Sequence, residues 1–259
     1  MRLVTYSVGP GGPGRAGVRV GHRVLDVEMA SRVKGEPLPS SMKALLAAGR
    51  GALSRVRALA KAATTEARSF SQAMLEERAI RLLPPVPDAD HFFRAGEPKP
   101  RRPDGNLVGQ DARVSRSAAA GRLACEPQLV FVVGRRAQDV ASDDAMEYVA
   151  GVTILNGFPG YAPMGPEIVT LDEIQDPFDL WMTLSVNGTE RMRVSTQERA
   201  ATLPAMLAQC SSGLAMEAGD LLATGSPGTE GLYFEPGDVV ECSIEGIATL
   251  RTVIVASAA

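Results

Sequence analysis

The sequence predicts a mixed α/β fold that is rich in β-strands, and three patterns carry this prediction. Apolar and polar residues alternate at both ends of the 259-residue chain, in residues 1–8 and in residues 238–255, which is the spacing of half-buried strands. Residues 42–59 instead place apolar side chains at helical spacing. The run "LVFVVG" at 129–134 is apolar throughout, as in a strand that is buried on both faces.

The N-terminal part begins as a small β-meander and then becomes helical. Strand-like segments over residues 1–30 are separated by glycine-rich turns, and His22 lies where a hairpin turn belongs, so we interpret it as a turn residue. The apolar spacing of residues 42–59, interrupted at 49–51, predicts two short packed helices. The prolines of "LLPPVP" exclude a helix and mark a linker. We therefore expect a small N-terminal α/β domain over residues 1–83.

Residues 84–259 are expected to form the second domain, built of strands between Gly- and Pro-rich turns. Ser142 is a candidate N-cap for a helix that leads into a strand. Asn187-Gly188 lies between two alternating segments, which is the strongest short signal for a hairpin. The stretch "TLPAMLAQCSSG" predicts a helix, and the chain closes with two strands around Glu245-Gly246.

Composition and charge exclude several classes of protein. The net charge of −3 and the pI near 5.6 give no basic face for nucleic acid, and we interpret the basic cluster at 99–103 as a solvated loop. No stretch approaches the ~20 apolar residues of a membrane span, so no membrane association is expected. Three cysteines without CxxC spacing indicate neither a disulfide framework nor a zinc knuckle. We expect a reduced, cytoplasmic protein.

Three C-terminal segments carry the most specific motifs. They are "MGPEIVTLDEIQDPFDLWMTLSVNG" at 164–188, "MEAGDLLATGSPGTEG" at 216–231 and "EPGDVVECSIEGIATL" at 235–250. With the opening strand and the proline linker, they resemble the fumarylacetoacetate hydrolase superfamily over nearly the whole chain. The resemblance implies a rolled, β-rich catalytic domain behind the N-terminal domain, a small-molecule substrate and a homodimer.

The resemblance also implies a chemistry. Members of this superfamily typically bind Mg²⁺, Mn²⁺ or Ca²⁺ and act on 2-oxo or β-dicarbonyl acids, as in acylpyruvate hydrolysis and oxaloacetate decarboxylation. Their ion is held by an E-x-E pair on one strand and by the Asp of an Asn-Asp step on a neighbouring strand. Such an ion prefers several oxygen ligands, and residues two apart on a strand point to the same side.

This sequence departs from that metal-binding pattern at two of the three acids. Glu126 stands at the first acid, but Gln128 stands at the second, and the step Asn156-Gly157 replaces Asn-Asp. One carboxylate does not hold Mg²⁺ against water. We therefore expect no tightly bound metal; the alternative is a weakly bound Mg²⁺ held by Glu126, Gln128 and Asn156.

Two segments that carry catalytic residues in the superfamily are shortened. The "SARD" turn and the later lysine have no counterpart in "NGFPGYAPMGP" at 156–166, and the element with the catalytic histidine is compressed into residues 92–109. His91 precedes the position of that histidine, so we do not transfer the role to it. The shorter segments suggest a more open pocket and a bulkier ligand.

The turn "ATGSPG" is retained, and the resemblance implies that Thr224, Gly225 and Ser226 bind a substrate carboxylate through backbone N–H groups and a hydroxyl. Asn156 is a further candidate for substrate binding. Tyr161 is either a phenolic donor to the substrate or a residue that covers the core. The neighbour of Glu126, Cys125, points to the opposite face of the strand, so it is not expected to act as a nucleophile.

Two interpretations of the catalytic candidates stay open. Glu126 is either a retained acid paired with an arginine such as Arg94, or a general acid or base with its pKa raised by apolar surroundings. Gln128 either has its amide satisfied within the protein or orients a substrate carbonyl.

Three functions follow from these alternatives. The first is a metal-independent enzyme acting on a small 2-oxo or β-dicarbonyl acid by decarboxylation, dehydration, isomerisation or cyclisation, with Glu126 and Gln128 as catalytic residues. The second is a Mg²⁺-dependent hydrolase or decarboxylase of C–C bonds. The third is an inactive homologue that serves as a binding protein.

Overall fold

The computed structural model describes residues 1–97, 99–101, 106–116, 123–198, 202–226 and 232–256. In this part of the chain there are sixteen β-strands and four α-helices. The strands are β1 (Arg2–Ser7), β2 (Arg15–Val20), β3 (Arg23–Asp26), β4 (Met74–Glu76), β5 (Arg81–Leu82), β6 (Phe92–Arg94), β7 (Leu107–Val108), β8 (Ala112–Arg116), β9 (Glu126–Val133), β10 (Val149–Gly157), β11 (Ala162–Thr170), β12 (Trp181–Val186), β13 (Thr189–Ser195), β14 (Leu221–Ala223), β15 (Val239–Ile244) and β16 (Ala248–Ala256). The helices are α1 (Val27–Val33), α2 (Met42–Ala47), α3 (Gly49–Thr65) and α4 (Leu203–Ser211).

Two sheets organise the described residues, and they confirm the β-rich mixed α/β class. The larger sheet has the order β4-β3-β2-β1-β11-β10-β9-β14-β6, with β5 on β1 and β7 on β11. The smaller sheet has the order β13-β12-β15-β16-β8. Because β1 pairs with β11, strands from both sides of the proline linker lie in one sheet. The division after residue 83 stays a prediction from the sequence.

The turns that the sequence predicts most strongly are present. Asn187 and Gly188 have φ of 51° and 77° and join β12 to β13 in two residues, as a type I′ hairpin requires. Gly21 and His22 join β2 to β3, and His22 is exposed. Gly246, with φ of 72°, lies in the turn between β15 and β16. In the basic cluster, residues 102–103 lie outside the described residues.

The helices differ from the prediction in three places. The sequence pattern did not indicate α1, whose N-cap is Asp26. The break between α2 and α3 lies at Gly49, which has φ of 79°, so that Gly51 is helical and α3 continues to Thr65. Ser142 begins a short 3₁₀ helix rather than capping an α-helix; the capping position belongs to the preceding alanine.

Strand β9 confirms the predicted buried strand and positions the candidate site. Val130 and Val132 pack on one face of the large sheet with residues of α2 and α3, while Phe131 and Val133 pack on the other face, towards the small sheet. Residues two apart on a strand share a face, so Glu126 and Gln128 continue the row of Val130. The site therefore opens on the helical side of the large sheet.

A buried charged cluster ties β1, β2 and α1 together. The Asp26 carboxylate accepts hydrogen bonds from the Tyr6 hydroxyl, from Arg15 Nε at 2.7 Å and from the Met29 amide at 2.7 Å. Burial disfavours the charged carboxylate, but these hydrogen bonds outweigh it, and the pKa of Asp26 lies below its usual value. Burial and the adjacent carboxylate raise the pKa of Tyr6.

This lowered pKa predicts a pH-dependent contribution to stability. The contribution is fully present above the unfolded pKa of Asp, ~3.9, and is lost as the pH falls through the lower pKa of the folded protein. We expect Asp26→Asn to reduce the free energy of unfolding at pH 7 by ~1–3 kcal/mol, because an amide offers one acceptor oxygen in place of two and no negative charge to Arg15, so that Arg15 and Met29 cannot both keep their acceptor. Urea unfolding at pH 7 and at pH 3 should show a smaller difference between the two proteins at pH 3. An equal difference at both values would contradict this assignment.

Candidate active site

Glu126 and Gln128 lie on the same face of β9, as their spacing predicts. Antiparallel pairing places Gly157 of β10 opposite Glu126 and Leu155 opposite Gln128. Cross-strand partners share a face of the sheet. The position beside the first acid is therefore occupied by a glycine, which brings no side chain to the site.

Asn156 does not lie with these residues. It pairs with Pro127 in the same register, so its side chain belongs to the face towards the small sheet. There it is fully buried, and neither its amide nitrogen nor its amide oxygen has a hydrogen-bond partner among the described residues. Asn156, a substrate-binding candidate from the sequence, thus lies on the opposite face of the sheet from Glu126 and Gln128, because one step along a strand reverses the face.

Arg94 supplies the charge that faces Glu126. It ends β6, which runs parallel to β14, and β14 pairs with β9 on its other side. The Arg94 Nη2 atom lies 2.7 Å from Glu126 Oε2, a charge-assisted hydrogen bond. The side chains are 27% and 55% exposed. The pairing of Glu126 with Arg94 that one interpretation expected is therefore observed.

Gln128 connects this ion pair to the turn after β14. Its side chain is almost fully buried. The amide Nε2 donates to Glu126 Oε2 at 3.2 Å, and the amide Oε1 accepts from the Gly225 backbone N–H at 3.2 Å. Both ends of the amide are thus satisfied within the protein. Gln128 and Arg94 thus both donate to Glu126 Oε2 and together fix the orientation of the carboxylate.

The turn at 224–226 contains one available hydroxyl. The Thr224 side chain is buried and donates to the Leu129 carbonyl at 3.1 Å, so it serves the structure of the turn. Gly225 has φ of 87°, a conformation that glycine adopts without strain. The Ser226 Oγ atom is buried without a partner in the described part of the chain. Residues 227–231 of this motif lie outside the described residues.

Tyr161 makes contacts of the kind expected of a residue that covers the core. Its hydroxyl lies 2.8 Å from the Ser115 Oγ atom of β8, and its ring packs on the apolar cluster that contains Phe158 and Phe234. Backbone hydrogen bonds in both directions join Phe158 and Tyr161 across a tight turn. Tyr161 thus links the shortened loop to the small sheet.

The remaining nucleophile and base candidates lie apart from Glu126. Burial raises the pKa of the Cys125 thiol well above its usual value, which agrees with the prediction that it is not a nucleophile. His91 lies 3.0 Å through Nδ1 from the Oδ2 atom of the buried Asp220. The same carboxylate accepts hydrogen bonds from the backbone N–H groups of His91 and Glu217. The His91–Asp220 pair therefore joins the residue before β6 to the segment before β14.

A divalent ion does not fit this group of residues. No cluster of three or more His, Cys, Asp or Glu side chains that could hold a metal occurs in the described ranges. Around Glu126, the other positions offer the Gln128 amide, already bonded at both ends, and Gly157. Asn156, the third ligand of the weak-binding alternative, faces away. A cation, the Arg94 guanidinium, already lies at the carboxylate.

Comparison with known proteins identifies the family. The model of the fumarylacetoacetate (FAA) hydrolase C-terminal domain matches residues 101–158 and 155–255, which together make up more than half of the chain. The chain belongs to the fumarylacetoacetate hydrolase family. Both strands of the candidate site, β9 and β10, lie within the matched residues.

Two family members illustrate the range of similarity in sequence. The mitochondrial oxaloacetate tautomerase fahd2 of Xenopus laevis is 25% identical over 300 positions, which cover 98% of this chain and 90% of the relative. The 4-hydroxyphenylacetate degradation bifunctional isomerase/decarboxylase of Salmonella dublin is 33% identical over 150 residues, covering 50% of this chain and 34% of that protein. The first alignment is longer than this chain, so the relative has residues where this chain has gaps.

The fold also matches a solved structure of the family along its entire length. Maleylpyruvate hydrolase from Sphingobium sp. SYK-6, in complex with manganese(II) and pyruvate, has a TM-score of 0.81 and 24% sequence identity, with all of both chains covered. This similarity confirms the predicted fumarylacetoacetate-hydrolase-like fold. No helix among the described residues has the length and apolar character needed to span a membrane.

Proposed function

We propose that this protein is an enzyme that acts on a small 2-oxo or β-dicarbonyl acid by proton transfer, without a tightly bound divalent ion. The observation that carries this proposal is the hydrogen-bonded network Arg94–Glu126–Gln128–Gly225. It holds one carboxylate in a fixed orientation at the positions that correspond to the family's metal-binding acids. The relatives support the substrate class, since oxaloacetate and maleylpyruvate, which their names contain, are small oxo acids.

The carboxylate of Glu126 has one oxygen for positioning and one for chemistry. Arg94 and Gln128 both donate to Oε2, whereas Oε1 accepts no hydrogen bond from any residue in the described ranges. In the proposed reaction, Oε1 takes a proton from the carbon beside the substrate carbonyl, the electron pair of that C–H bond forms a C=C bond to the carbonyl carbon, and the π pair of the C=O bond moves to the carbonyl oxygen. Transfer of the proton to that oxygen completes the isomerisation to the enol, and its return to carbon exchanges the C–H hydrogen.

Two further groups support the reaction without moving protons: one binds the substrate and the other positions Glu126. The Ser226 hydroxyl, buried without a partner in the described part of the chain, is placed in the turn that the family uses for anions, and it would donate to a substrate oxygen. Gln128 is a positioning residue, because both ends of its amide are bonded within the protein. Enolisation requires these donors and a base more than it requires a Lewis acid.

The test is hydrogen–deuterium exchange at the carbon beside the carbonyl, followed by NMR in D₂O with excess EDTA over a panel of small 2-oxo acids. The wild type is expected to catalyse exchange on at least one of them. Glu126→Gln is expected to slow that exchange by at least ~100-fold, because the side chain keeps its shape but loses the base. Glu190→Gln, on the exposed hairpin between β12 and β13, is the control.

Three outcomes would overturn the proposal. One is catalysis that appears only when Mg²⁺ or Mn²⁺ is added, which would favour the metal-dependent alternative. The second is an unchanged exchange rate in Glu126→Gln. The third is absence of exchange across the panel, which would favour the inactive homologue.

A further inference from the structure

We propose that the Arg94 guanidinium takes the place of the family's divalent ion, as a fixed cation that binds the carboxylate and enolate oxygens of the substrate. The part of this inference that concerns the substrate rests on the proposed function. The part that concerns the protein rests on three residues: Gln128 and Gly157, which replace two acids of the metal-binding pattern, and Arg94, which lies at the remaining acid Glu126.

The first argument is charge. The resemblance implies three carboxylates around a divalent ion, a group with a net charge of −1. Here one carboxylate, Glu126, faces one guanidinium at 2.7 Å, and the net charge is zero. Removing two acids and a divalent ion while adding one monovalent cation therefore keeps the charge of the site within one unit. Glu126 alone, without Arg94, would leave a negative charge that repels an anionic substrate.

The second argument is space. A Cβ atom built on Gly157 would lie 3.6 Å from Arg94 Nη2 and 3.8 Å from the Glu126 Cβ atom. Both distances are ordinary van der Waals contacts for a methyl group. An aspartate at this position would also carry a carboxylate group attached to Cβ, which needs additional space. The glycine thus leaves open the space beside the guanidinium that the third acid of the family would occupy.

The third argument is the direction of the hydrogen bonds. Gln128 donates from Nε2 to the same oxygen, Glu126 Oε2, that accepts from Arg94. A glutamate at position 128 would place an acceptor against an acceptor there. The amide is therefore the side chain that suits a carboxylate paired with a guanidinium, whereas two acids at these positions would need a cation between them.

The guanidinium retains donors for a ligand. It has five N–H groups. Within the described residues, one of them donates to Glu126, and the contact from Nη1 to Glu97 Oε1 is 3.8 Å long, beyond a hydrogen bond. The side chain is 27% exposed, so the remaining donors can be reached. A planar fork of this kind matches a carboxylate in a bidentate way. The ligand class is a small acid with its carboxylate next to a carbonyl or enolate oxygen.

The inference is tested first by restoring the metal site. Gln128→Glu/Gly157→Asp returns both acids with Arg94 in place, and Arg94→Gln/Gln128→Glu/Gly157→Asp also removes the cation. Mn²⁺ binding is measured by the EPR signal of the free ion. We expect the triple variant to bind Mn²⁺ at least tenfold more tightly than the double variant, because the guanidinium competes for the same carboxylate. Equal affinity, or tight binding by the wild type, would overturn the inference.

The second measurement uses the natural chain and does not depend on how the multiple variants fold. Oxalate, a stable analogue of an enolised 2-oxo acid, is titrated calorimetrically with EDTA present. We expect the wild type to bind it, Arg94→Gln to lose at least tenfold in affinity and Arg94→Lys to lose less. Arg101→Gln is the matched control, since Arg101 is an exposed arginine that also pairs with Glu97.

The two measurements separate this inference from the proposed function. Oxalate binding that is equal in the wild type and in Arg94→Gln, or absent from the wild type, would overturn the role of Arg94. Loss of oxalate binding in Arg94→Gln together with inactivity towards every oxo acid would keep the cation site and reject the catalysis. Neither the Mn²⁺ measurement nor the oxalate titration requires turnover.

Discussion

Glu167→Ala is expected to lower the free energy of unfolding by about 3–5 kcal/mol, which is the usual result of removing one partner of a buried charge network. Glu167 lies on β11 with a side chain that is only 4% exposed. It pairs with Arg2 of β1 and with Arg19 of β2, whose Nε atom lies 2.7 Å from its Oε2 atom. Without the carboxylate, two partly buried guanidinium groups lose a shared acceptor.

The same network extends to the small sheet, which increases the expected effect. Arg2 donates to the backbone carbonyls of Gly246 and Ile247 in the turn between β15 and β16. Chemical unfolding of Glu167→Ala should therefore show a lower midpoint. Glu190→Ala removes an exposed pair with Arg193 and is expected to leave the midpoint almost unchanged. Similar midpoints for the two variants would show that the buried network contributes little.

Gly151→Ala is expected to destabilise the protein by ~3 kcal/mol, at the upper end of the range for overpacking. A Cβ atom at Gly151 of β10 would lie 2.4 Å from the Val169 carbonyl oxygen and 2.9 Å from the Val169 carbonyl carbon of β11. These are backbone atoms of a paired central strand, so they cannot rotate away as a side chain would. To relieve this clash, β10 and β11 would have to move apart, in a region where their pairing is already irregular.

Gly51→Ala is the matched control for this substitution. A Cβ atom at Gly51 would meet no atom within 4 Å, and the residue lies in α3, where alanine is favoured over glycine by ~0.5–1 kcal/mol. Thermal melts should shift in opposite directions for the two variants. A Gly151→Ala protein as stable as the wild type would mean that the two strands separate at little cost.

Local signals in the sequence were sufficient for many elements of the fold. The step Asn187-Gly188 predicts its hairpin because few residue pairs adopt two successive positive φ angles. Helix α1 was missed because its seven residues follow a strand directly and are too few to show a helical period. Its cap could have been recognised, because aspartate is a preferred N-cap residue. In the structure the Asp26 carboxylate accepts a hydrogen bond from the amide of Met29, three residues later.

The site was predictable only to the extent that it depends on spacing along one strand. Glu126 and Gln128 share a face because they are two residues apart. Whether Asn156 or Gly157 lies beside them depends on the register between β9 and β10, which a single strand does not encode. Arg94 lies 32 residues before Glu126 and reaches it from the far side of β14, so no sequence spacing connects them. The sequence indicated Arg94 as one possible partner among the arginines.

Strand β1 pairs with β11, at Arg2 with Val169 and at Leu3 with Ile168. This pairing determines where the chain can be truncated for expression. A fragment beginning after the proline linker would leave the lateral edge of β11 bare, with free amides and carbonyls beside apolar surface. Such an edge recruits strands from other molecules. We therefore expect a fragment without β1 to self-associate and a fragment that retains β1 to remain monodisperse in solution.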